Sequence, residues 1–219
     1  MTYIFVVGDS ITYGAWDFER GGWVQRLRTF LDKKVEENPK ENFFVVYNLG
    51  IDGHSTEDWV KVFEAEIETR MKIVKKYKEK AIIILALGAN DALFVVDKKE
   101  NNIPIDKFKA NMKKLIALSK KFTENVICLG IPPCRASESV NYDDNNFVFS
   151  NEDIIKYNLA LKSVTQDKKL PLIDIFLDIF YEVKKIKKFA SFDGGHLTSE
   201  GHQKIFEIVK NYLSENELL

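Results

Sequence analysis

Residues 3–14, with the sequence YIFVVGDSITYG, join a continuous apolar run to a polar turn. The five apolar residues are all aromatic or β-branched, which favours a strand buried on both faces, as in a parallel sheet. In the turn, Asp9 can bond nearby backbone amides, and Ser10 can cap a following helix. This combination predicts the first strand and the first strand-to-helix connection of an α/β fold.

Four similar apolar runs follow along the chain, at residues 43–47, 81–87, 125–129 and 170–173. Between and after them, apolar residues recur at helical spacing within 23–35, 60–67, 108–118, 154–161 and 205–212. Strands that alternate with helices predict a three-layer α/β/α arrangement around a five-stranded parallel sheet in the flavodoxin-like order 2-1-3-4-5. No repeat or linker interrupts the pattern, so residues 1–219 are expected to form one domain.

The composition is that of an ordinary globular protein with balanced charge. The chain has 219 residues, of which 45% are hydrophobic and 30% charged, as in an ordinary globular protein with a substantial core. Its 32 basic and 33 acidic residues give a net charge of -1. Such a balance argues against nucleic acid or an acidic membrane surface as a partner.

Cysteine content and apolar runs point to a protein without disulfides or membrane spans. Cys128 and Cys134 are too few for a disulfide framework or a zinc site, and Cys128 lies in an apolar run typical of a core. No secretory signal precedes the first strand, and no apolar run approaches the ~18–20 residues that span a bilayer. A cytoplasmic location is therefore expected.

Polar groups are concentrated where three predicted strands end. Gly8–Gly14 follows the first strand, Asn48–Ser55 the second, and Gly88–Asp91 the third. In the order 2-1-3 these strands are neighbours roughly 4.8 Å apart, so their turns line one crevice. Open α/β sheets bind ligands at this carboxyl edge, which predicts a functional site there.

A fourth polar element, Asp193-Gly194-Gly195-His196, precedes the last predicted helix. A carboxylate three residues before a histidine can fold back and accept a hydrogen bond from the imidazole, as the acid of a Ser-His-Asp triad does. A serine needs such a base to become a nucleophile. Among the three histidines of the chain, His196 has a carboxylate partner within its own loop.

These four elements resemble the motif blocks of the SGNH hydrolase family, the GDSL-type esterases and lipases. The matching residues are Gly8-Asp9-Ser10, Gly53 in an Asn-x-Gly-x-x-Gly turn, Gly88-x-Asn90-Asp91, and Asp193-x-x-His196. They occur in the family's order and extend over nearly the whole chain. No Gly-x-Ser-x-Gly sequence is present, which excludes the usual nucleophile elbow of α/β-hydrolases.

The resemblance implies a serine esterase that works without metal or cofactor on small-molecule esters. Ser10 would attack the ester carbonyl, His196 would carry the proton, and Asp193 would orient His196. The oxyanion would be held by the backbone N–H groups of Ser10 and Gly53 and by the side-chain amide of Asn90. A glycine and a neutral amide suit this role, because one leaves room for the oxyanion and the other donates without charge.

Other residues near these blocks carry less specific expectations. Asp9 and His54 are predicted to lie at the substrate site, although Asp9 fits a role in stabilising its turn better than a catalytic one, and His54 is not expected to be catalytic. Trp16 follows the nucleophile turn and is a candidate substrate contact. Asp91 is expected to cap the turn or helix after the third strand.

Two rival functions also fit parts of the pattern. A metal-dependent phosphoesterase shares Gly-Asp and Gly-Asn-Asp turns, but it needs several histidines as ligands and the expected Asp-x-His is missing. A non-enzymatic binder could hold phosphate at the Gly8–Gly14 turn, but this would leave Asp193 and His196 unused.

The substrate itself is not specified by the sequence. Within the family, lysophospholipids, thioesters and acetylated carbohydrates are alternatives to small carboxylic esters. The choice depends on residues 92–104 and 132–153, which are predicted to be loops. The second loop is the longest irregular stretch, so it is either a lid or a disordered surface excursion.

Overall fold

The computed structural model describes residues 1–134, 147–185, 191 and 193–219. The strands in these ranges are β1 (Thr2–Gly8), β2 (Phe44–Gly50), β3 (Lys80–Ala86), β4 (Phe94–Val95), β5 (Glu100–Asn101), β6 (Val126–Leu129), β7 (Phe147–Val148) and β8 (Leu172–Ile173). The main sheet has five parallel strands in the order β2-β1-β3-β6-β8. Counting these five strands alone, the order is 2-1-3-4-5, as predicted.

Helices cover both faces of the sheet and complete three layers. In the described ranges the helices are α1 (Ser10–Tyr13), α2 (Gly22–Glu37), α3 (Thr56–Tyr77), α4 (Ala89–Ala92), α5 (Ile105–Lys120), α6 (Asn151–Lys168), α7 (Phe176–Lys185) and α8 (Ser199–Glu215). Helix α2 packs on α8, whereas α3 packs on α5 and α5 on α6. Strands β1 and β3 lie between the two layers, and their central side chains are fully buried.

The five long helices correspond to the five predicted helical stretches. Local capping explains several of their boundaries, since Ser55, Ser150 and Thr198 each accept a hydrogen bond from a backbone amide of the first turn. Helices α1 and α4 were not predicted, because four residues are too few to show a period. Helix α7 was also not predicted, although Phe176, Ile179 and Phe180 occur at helical spacing.

The two segments predicted to be loops contain the strands of a second, small sheet, so the prediction is wrong for these residues. Strands β5, β4 and β7 pair antiparallel in that order, so residues 92–104 contain a hairpin and residues 132–153 contain β7 and the start of α6. Two-residue strands leave no readable alternation in a sequence, and the pairing of β4 with β7 joins segments far apart in the chain. Residues 135–146 of the predicted lid lie outside the described residues.

The sequence predicted no segment that could span a membrane, and the length and apolar character of the helices bear on that prediction. None of the helices in the described ranges combines the length and apolar character needed to cross a bilayer.

Candidate active site

Ser10 lies at the carboxyl end of β1, where the strand passes directly into helix α1. Asp9 is the N-cap of this helix and accepts a 2.9 Å hydrogen bond from the amide of Ile11 through Oδ1. The cap fixes the turn, so Ser10 becomes the first residue of the helix and its own amide is not used by a helical partner. Ser10 is 5% exposed, and its hydroxyl faces a cavity.

The loop before α8 brings His196 to Ser10. His196 Nε2 lies 2.7 Å from Ser10 Oγ, and His196 Nδ1 lies 2.6 Å from Asp193 Oδ2. The second carboxylate oxygen, Oδ1, accepts hydrogen bonds from the Ser191 hydroxyl and from the amides of Gly195 and His196. The three predicted side chains therefore form a continuous hydrogen-bonded chain, although His196 comes from beyond the far edge strand.

The surroundings of Asp193 keep its carboxyl ionised. Burial alone would raise the pKa of Asp193, but the hydrogen bonds from His196 and Ser191 outweigh burial and hold that pKa well below its usual range. A charged Asp193 retains the proton of His196 on Nδ1, because only that tautomer satisfies the carboxylate. Nε2 is then left as an acceptor facing the Ser10 hydroxyl, which is the arrangement a general base requires.

Asn90 and Gly53 line the same cavity as Ser10. Asn90 is in α4, directly after β3, and its Nδ2 donates a 3.2 Å hydrogen bond to the carbonyl oxygen of His54. An amide NH₂ has two protons, so this bond orients the group and leaves one proton for a ligand. Gly53 has φ +70, a left-handed conformation that glycine adopts without strain, and a Cβ there would point into open space.

Together these groups border a cavity of about 250 Å³. The described residues that line it are Ser10, Asp52, Gly53, Asn90, Leu93, Asn102, Phe147, Phe149 and His196. Its polar side carries the serine, the histidine and the Asn90 amide, whereas Leu93 and two phenylalanines form an apolar side. Asn102 donates a 3.0 Å hydrogen bond to the carbonyl of Asn90 and so helps to hold α4 in place.

Asp9 and His54 are not among the described residues on the wall of this cavity, so their predicted position at the substrate site stays a prediction. Asp9 is 3% exposed and is used as the α1 cap, and burial raises its pKa to about 6. His54 packs edge-on against Trp59, with ring centroids 6.1 Å apart, and contributes its backbone carbonyl to the orientation of Asn90. Asp9 thus holds the turn that carries Ser10, and His54 helps to orient the Asn90 amide.

Asp91 also differs from its predicted role. It lies inside α4, and its carboxylate accepts hydrogen bonds from the amide and the hydroxyl of Thr56, the first residue of α3. It therefore caps a neighbouring helix rather than its own. Burial is the main reason that the pKa of Asp91 is raised to about 7. The contact ties the segment that follows Gly53 to the helix that carries Asn90.

Trp16 contacts the histidine instead of the cavity. Its indole Nε1 lies 3.1 Å from His196 Nδ1, and the two rings meet edge to face with centroids 5.9 Å apart. Since Nδ1 donates its proton to Asp193, it cannot also accept a proton from the indole N–H, so Trp16 contacts the outer edge of this pair without a hydrogen bond to Nδ1. The candidate substrate contact is thus a contact of the proposed base.

A buried ion pair near Ser10 was not predicted. In what we call the Arg26 cluster (Asp17, Arg26, Ser199 and Gln203), the Arg26 guanidinium pairs with Asp17, donates to Ser199 Oγ at 2.7 Å, and donates to Gln203 Oε1 at 3.0 Å. Burial opposes ionisation of Asp17, but hydrogen bonds from Arg26 and Gly22 hold its pKa well below the usual range.

The Arg26 cluster joins two segments that are distant in sequence. Asp17 belongs to the loop after Ser10, whereas Ser199 and Gln203 belong to the first turns of α8, directly after His196. The weak signal for it in the sequence is a charged residue between Trp23 and Leu27, on a face of α2 that is otherwise apolar. Its partners could not be inferred, because they come from two other segments, the loop after α1 and helix α8.

The metal-dependent alternative has no ligand set in the part of the chain that the structure describes. Within these ranges, no group of three or more His, Cys, Asp or Glu side chains is placed to hold a metal ion.

Comparison with known families agrees with this geometry. The profile of the GDSL-like lipase/acylhydrolase family matches residues 4–209, nearly the whole chain. The protein belongs to this family. It is accordingly a carboxylic ester hydrolase, and this excludes the non-enzymatic phosphate binder as its class.

Curated relatives of this GDSL-family protein are esterases. It is 24% identical over 212 residues to the isoamyl acetate-hydrolyzing esterase 1 homolog of Bos taurus, covering 93% of this chain and 78% of that protein. The Homo sapiens protein of the same name is also 24% identical, over 214 residues, with 93% and 77% covered.

Solved structures share the fold of this GDSL-family protein. A lipase/acylhydrolase from Enterococcus faecalis superposes with a TM-score of 0.70 at 23% identity, covering 99% of this chain and 97% of that one. An acetylxylan esterase from Geobacillus stearothermophilus superposes with a TM-score of 0.68 at 16% identity, covering 98% and 93%. At these identities the likeness extends to the fold alone.

Proposed function

We propose that the protein is a serine esterase that cleaves small carboxylic esters through an acyl-enzyme on Ser10. The observation that carries this proposal is the chain of hydrogen bonds from Ser10 Oγ to His196 Nε2 and from His196 Nδ1 to Asp193. A serine hydroxyl is not nucleophilic by itself, and a neutral imidazole within hydrogen-bond reach is the group that activates it. The geometry needs no rearrangement for the first proton transfer.

In the first half of the reaction, Ser10 Oγ attacks the ester carbonyl while its proton moves to His196 Nε2. The imidazolium that forms is stabilised by the charged Asp193. The tetrahedral intermediate then collapses, the bond between the carbonyl carbon and the alkoxy oxygen breaks, and His196 returns the proton to the departing alcohol. The product of this half is an acyl group esterified to Ser10.

In the second half, water replaces the alcohol. His196 accepts a proton from the water as the water oxygen attacks the acyl carbon, and the proton then returns to Ser10 Oγ when the acyl-serine bond breaks. A carboxylic acid leaves, and Ser10 and His196 recover their initial protonation.

The negative charge of both tetrahedral intermediates falls on the former carbonyl oxygen. We propose that the amides of Ser10 and Gly53 and the side-chain NH₂ of Asn90 bind this oxygen. Support comes from the free amide at the start of α1, the open position of Gly53, and the orientation of Asn90 by the His54 carbonyl. Such fixed donors stabilise the transition state more than water does, because they need not reorganise.

Small esters are the favoured substrate class. The cavity of about 250 Å³ is smaller than the roughly 300–1,000 Å³ of sites for drug-sized ligands, and one side of it is apolar. The curated relatives are named for hydrolysis of isoamyl acetate, a small acetate ester. On the strength of these two observations we rank small alkyl esters above lysophospholipids, thioesters and acetylated carbohydrates as candidate substrates.

The test is hydrolysis of p-nitrophenyl acetate and butyrate by the protein and by Ser10→Ala, with a chelator present throughout. We expect chelator-resistant turnover that falls by at least about 10³-fold in the variant, because only oxyanion stabilisation and binding remain. Undiminished turnover in Ser10→Ala would contradict the mechanism. Ser119→Ala, which removes a buried hydroxyl in helix α5, is the matched control and should retain activity.

A further inference from the structure

The apolar side of the active-site cavity is built by the small sheet rather than by the main one. Phe147 and Phe149 are two residues apart around β7, so both side chains point to the same face of the strand, and both line the cavity. Strand β7 pairs with β4, with Val95 opposite Phe147. The two rings therefore form an aromatic wall that is anchored to the segment after Asn90.

Phe149 also contacts the loop that carries the histidine. A Cβ atom added at Gly195 would lie 2.5 Å from Cε2 and 2.8 Å from Cδ2 of Phe149, so the ring is seated directly on the Gly195 backbone. Gly195 immediately precedes His196 in the chain. The aromatic wall is thus fixed beside the residue proposed to act as general acid.

In the proposed reaction the leaving alcohol and the oxyanion occupy different parts of the cavity. The group that protonates the leaving oxygen must be next to the departing alcohol, so the alcohol lies on the His196 side of the scissile carbon. The oxyanion lies near its proposed donors, Gly53 and Asn90, and so does not need this space. A ring packed against Gly195 therefore borders the space of the alcohol.

We propose that Phe147 and Phe149 form the binding site for the leaving alcohol, and that the enzyme selects esters of apolar alcohols several carbons long. This inference rests on the proposed esterase function and specifies its substrate. Both phenylalanines are half-buried, so they offer ring surface to a ligand without further opening of the protein. An alkyl chain placed on this surface loses contact with water, which favours its binding by about fourfold for each fully buried methylene.

The experiment compares two series of alkyl esters. In the alcohol series, ethyl and isoamyl acetate differ only in the alcohol, and in the acyl series, ethyl acetate and ethyl butyrate differ only in the acid. We expect the native protein to favour isoamyl over ethyl acetate in kcat/KM by roughly tenfold or more. Phe149→Ala should lower this ratio at least about fivefold and leave the acyl ratio within about twofold.

Phe94→Ala is the matched control. Phe94 is the same residue type in the same small sheet, but it lies opposite Val148 and lines a different groove with Tyr157. Its substitution should leave both ratios unchanged. Because each ratio is measured on one preparation, it does not depend on the amount of folded enzyme, and Phe149→Leu, which keeps an apolar side chain, should give an intermediate alcohol ratio.

Three results would overturn the proposal: an alcohol ratio near one in the native protein, equal changes of both ratios in Phe149→Ala, or the same change in Phe94→Ala. If Phe149→Ala is inactive, the alcohol ratio of Phe149→Leu decides. Failure of the esterase function is recognised separately, since the native protein would then either leave all of these esters intact or hydrolyse them no faster than Ser10→Ala does.

Discussion

The two halves of the active site are held in place in different ways. Ser10, Gly53 and Asn90 follow β1, β2 and β3, three strands that are hydrogen-bonded neighbours in one register, with Gly8 opposite Gly50 and Ala86. Asp193 and His196 instead come from a loop beyond β8, at the far edge of the sheet. The first half is positioned by the sheet itself, and the second half depends on side-chain contacts made across the fold.

Those side-chain contacts are polar; the Arg26–Asp17 pair is buried, whereas the contacts of Trp16 and Ser199 are partly buried. The Arg26 cluster attaches the start of α8 to the loop after Ser10, and Trp16 from the same loop covers the His196–Asp193 pair. Because of this difference, we expect substitutions in the two halves to reduce activity in different ways. A change in the first half should remove one catalytic donor, whereas a change in the second should also alter the distance between base and nucleophile.

The largest effect in this comparison is expected for Asp193→Asn. Its amide would donate to His196 Nδ1, which forces the ring proton onto Nε2 and leaves no acceptor for Ser10. Turnover should fall by about 10⁴-fold, the loss known for the same substitution in a serine protease with a Ser-His-Asp triad, with the fold retained. Steady-state hydrolysis of p-nitrophenyl acetate measures this loss. Asp174→Asn, at the end of β8, is the control and should change turnover little.

A smaller loss is expected for Asn90→Ala, in the half that the sheet positions. Removing one oxyanion donor should lower kcat by about 10²–10³-fold, because the amides of Ser10 and Gly53 remain. KM should change much less, since the donor acts on the transition state. An effect confined to KM would show that Asn90 binds substrate instead of the oxyanion. Asn102→Ala, which removes the hydrogen bond that supports Asn90 but leaves the Asn90 amide in place, should lose less.

The Arg26 cluster can be broken by Arg26→Gln. We expect kcat to fall by roughly tenfold with KM little changed, because the base is displaced and the cavity is not. The free energy of unfolding should fall by about 3–5 kcal/mol, since Asp17 is left as an unpaired buried charge. Arg26→Lys, which keeps the charge without the forked geometry, should be intermediate in both measurements.

Arg28→Gln provides the control for that experiment. Arg28 lies on the same helix and pairs with Asp32 at an exposed position, so its loss should cost less than about 1 kcal/mol and leave kcat unchanged. If folded Arg26→Gln loses stability but keeps its full kcat, the cluster supports the fold without positioning His196.

The last effect concerns stability alone and leaves the catalytic groups intact: a pH dependence of unfolding that originates at Asp91. Its folded pKa of about 7 lies above the ordinary value, so the folded state binds the proton more tightly than the unfolded state does. Asp91 therefore stabilises the fold most at low pH, and this contribution is lost as pH rises from about 4 to about 7. Asp91→Asn cannot ionise and should lack this part of the pH dependence, as thermal unfolding at a series of pH values would reveal.

The first half of the site could be predicted because its information is local. Each polar turn follows a continuous apolar run, and parallel strands bring their carboxyl ends to one edge, so Ser10, Gly53 and Asn90 were expected together. Asp193 and His196 were expected together as well, because they are three residues apart in one loop.

The remaining features depend on pairings between distant segments. The contact between Phe149 and Gly195, the strands β4 and β7, and the partners of Arg26 have no local pattern that would identify them. Asp9 and Asp91 were assigned approximate roles, and the correct ones depend on which neighbouring backbone amide each carboxylate reaches. Burial of a charged side chain such as Arg26 is decided by its partners, which the sequence does not specify.

The measurement that tests the central claim most directly is covalent labelling with a fluorophosphonate, followed by mass spectrometry of the intact and digested protein. Such reagents react with an activated serine and imitate the first half of the proposed reaction. The account predicts one label per chain, located on Ser10, with loss of esterase activity in parallel, and labelling that is much slower in Asp193→Asn. Labelling at another residue, or full activity after complete labelling of Ser10, would contradict it.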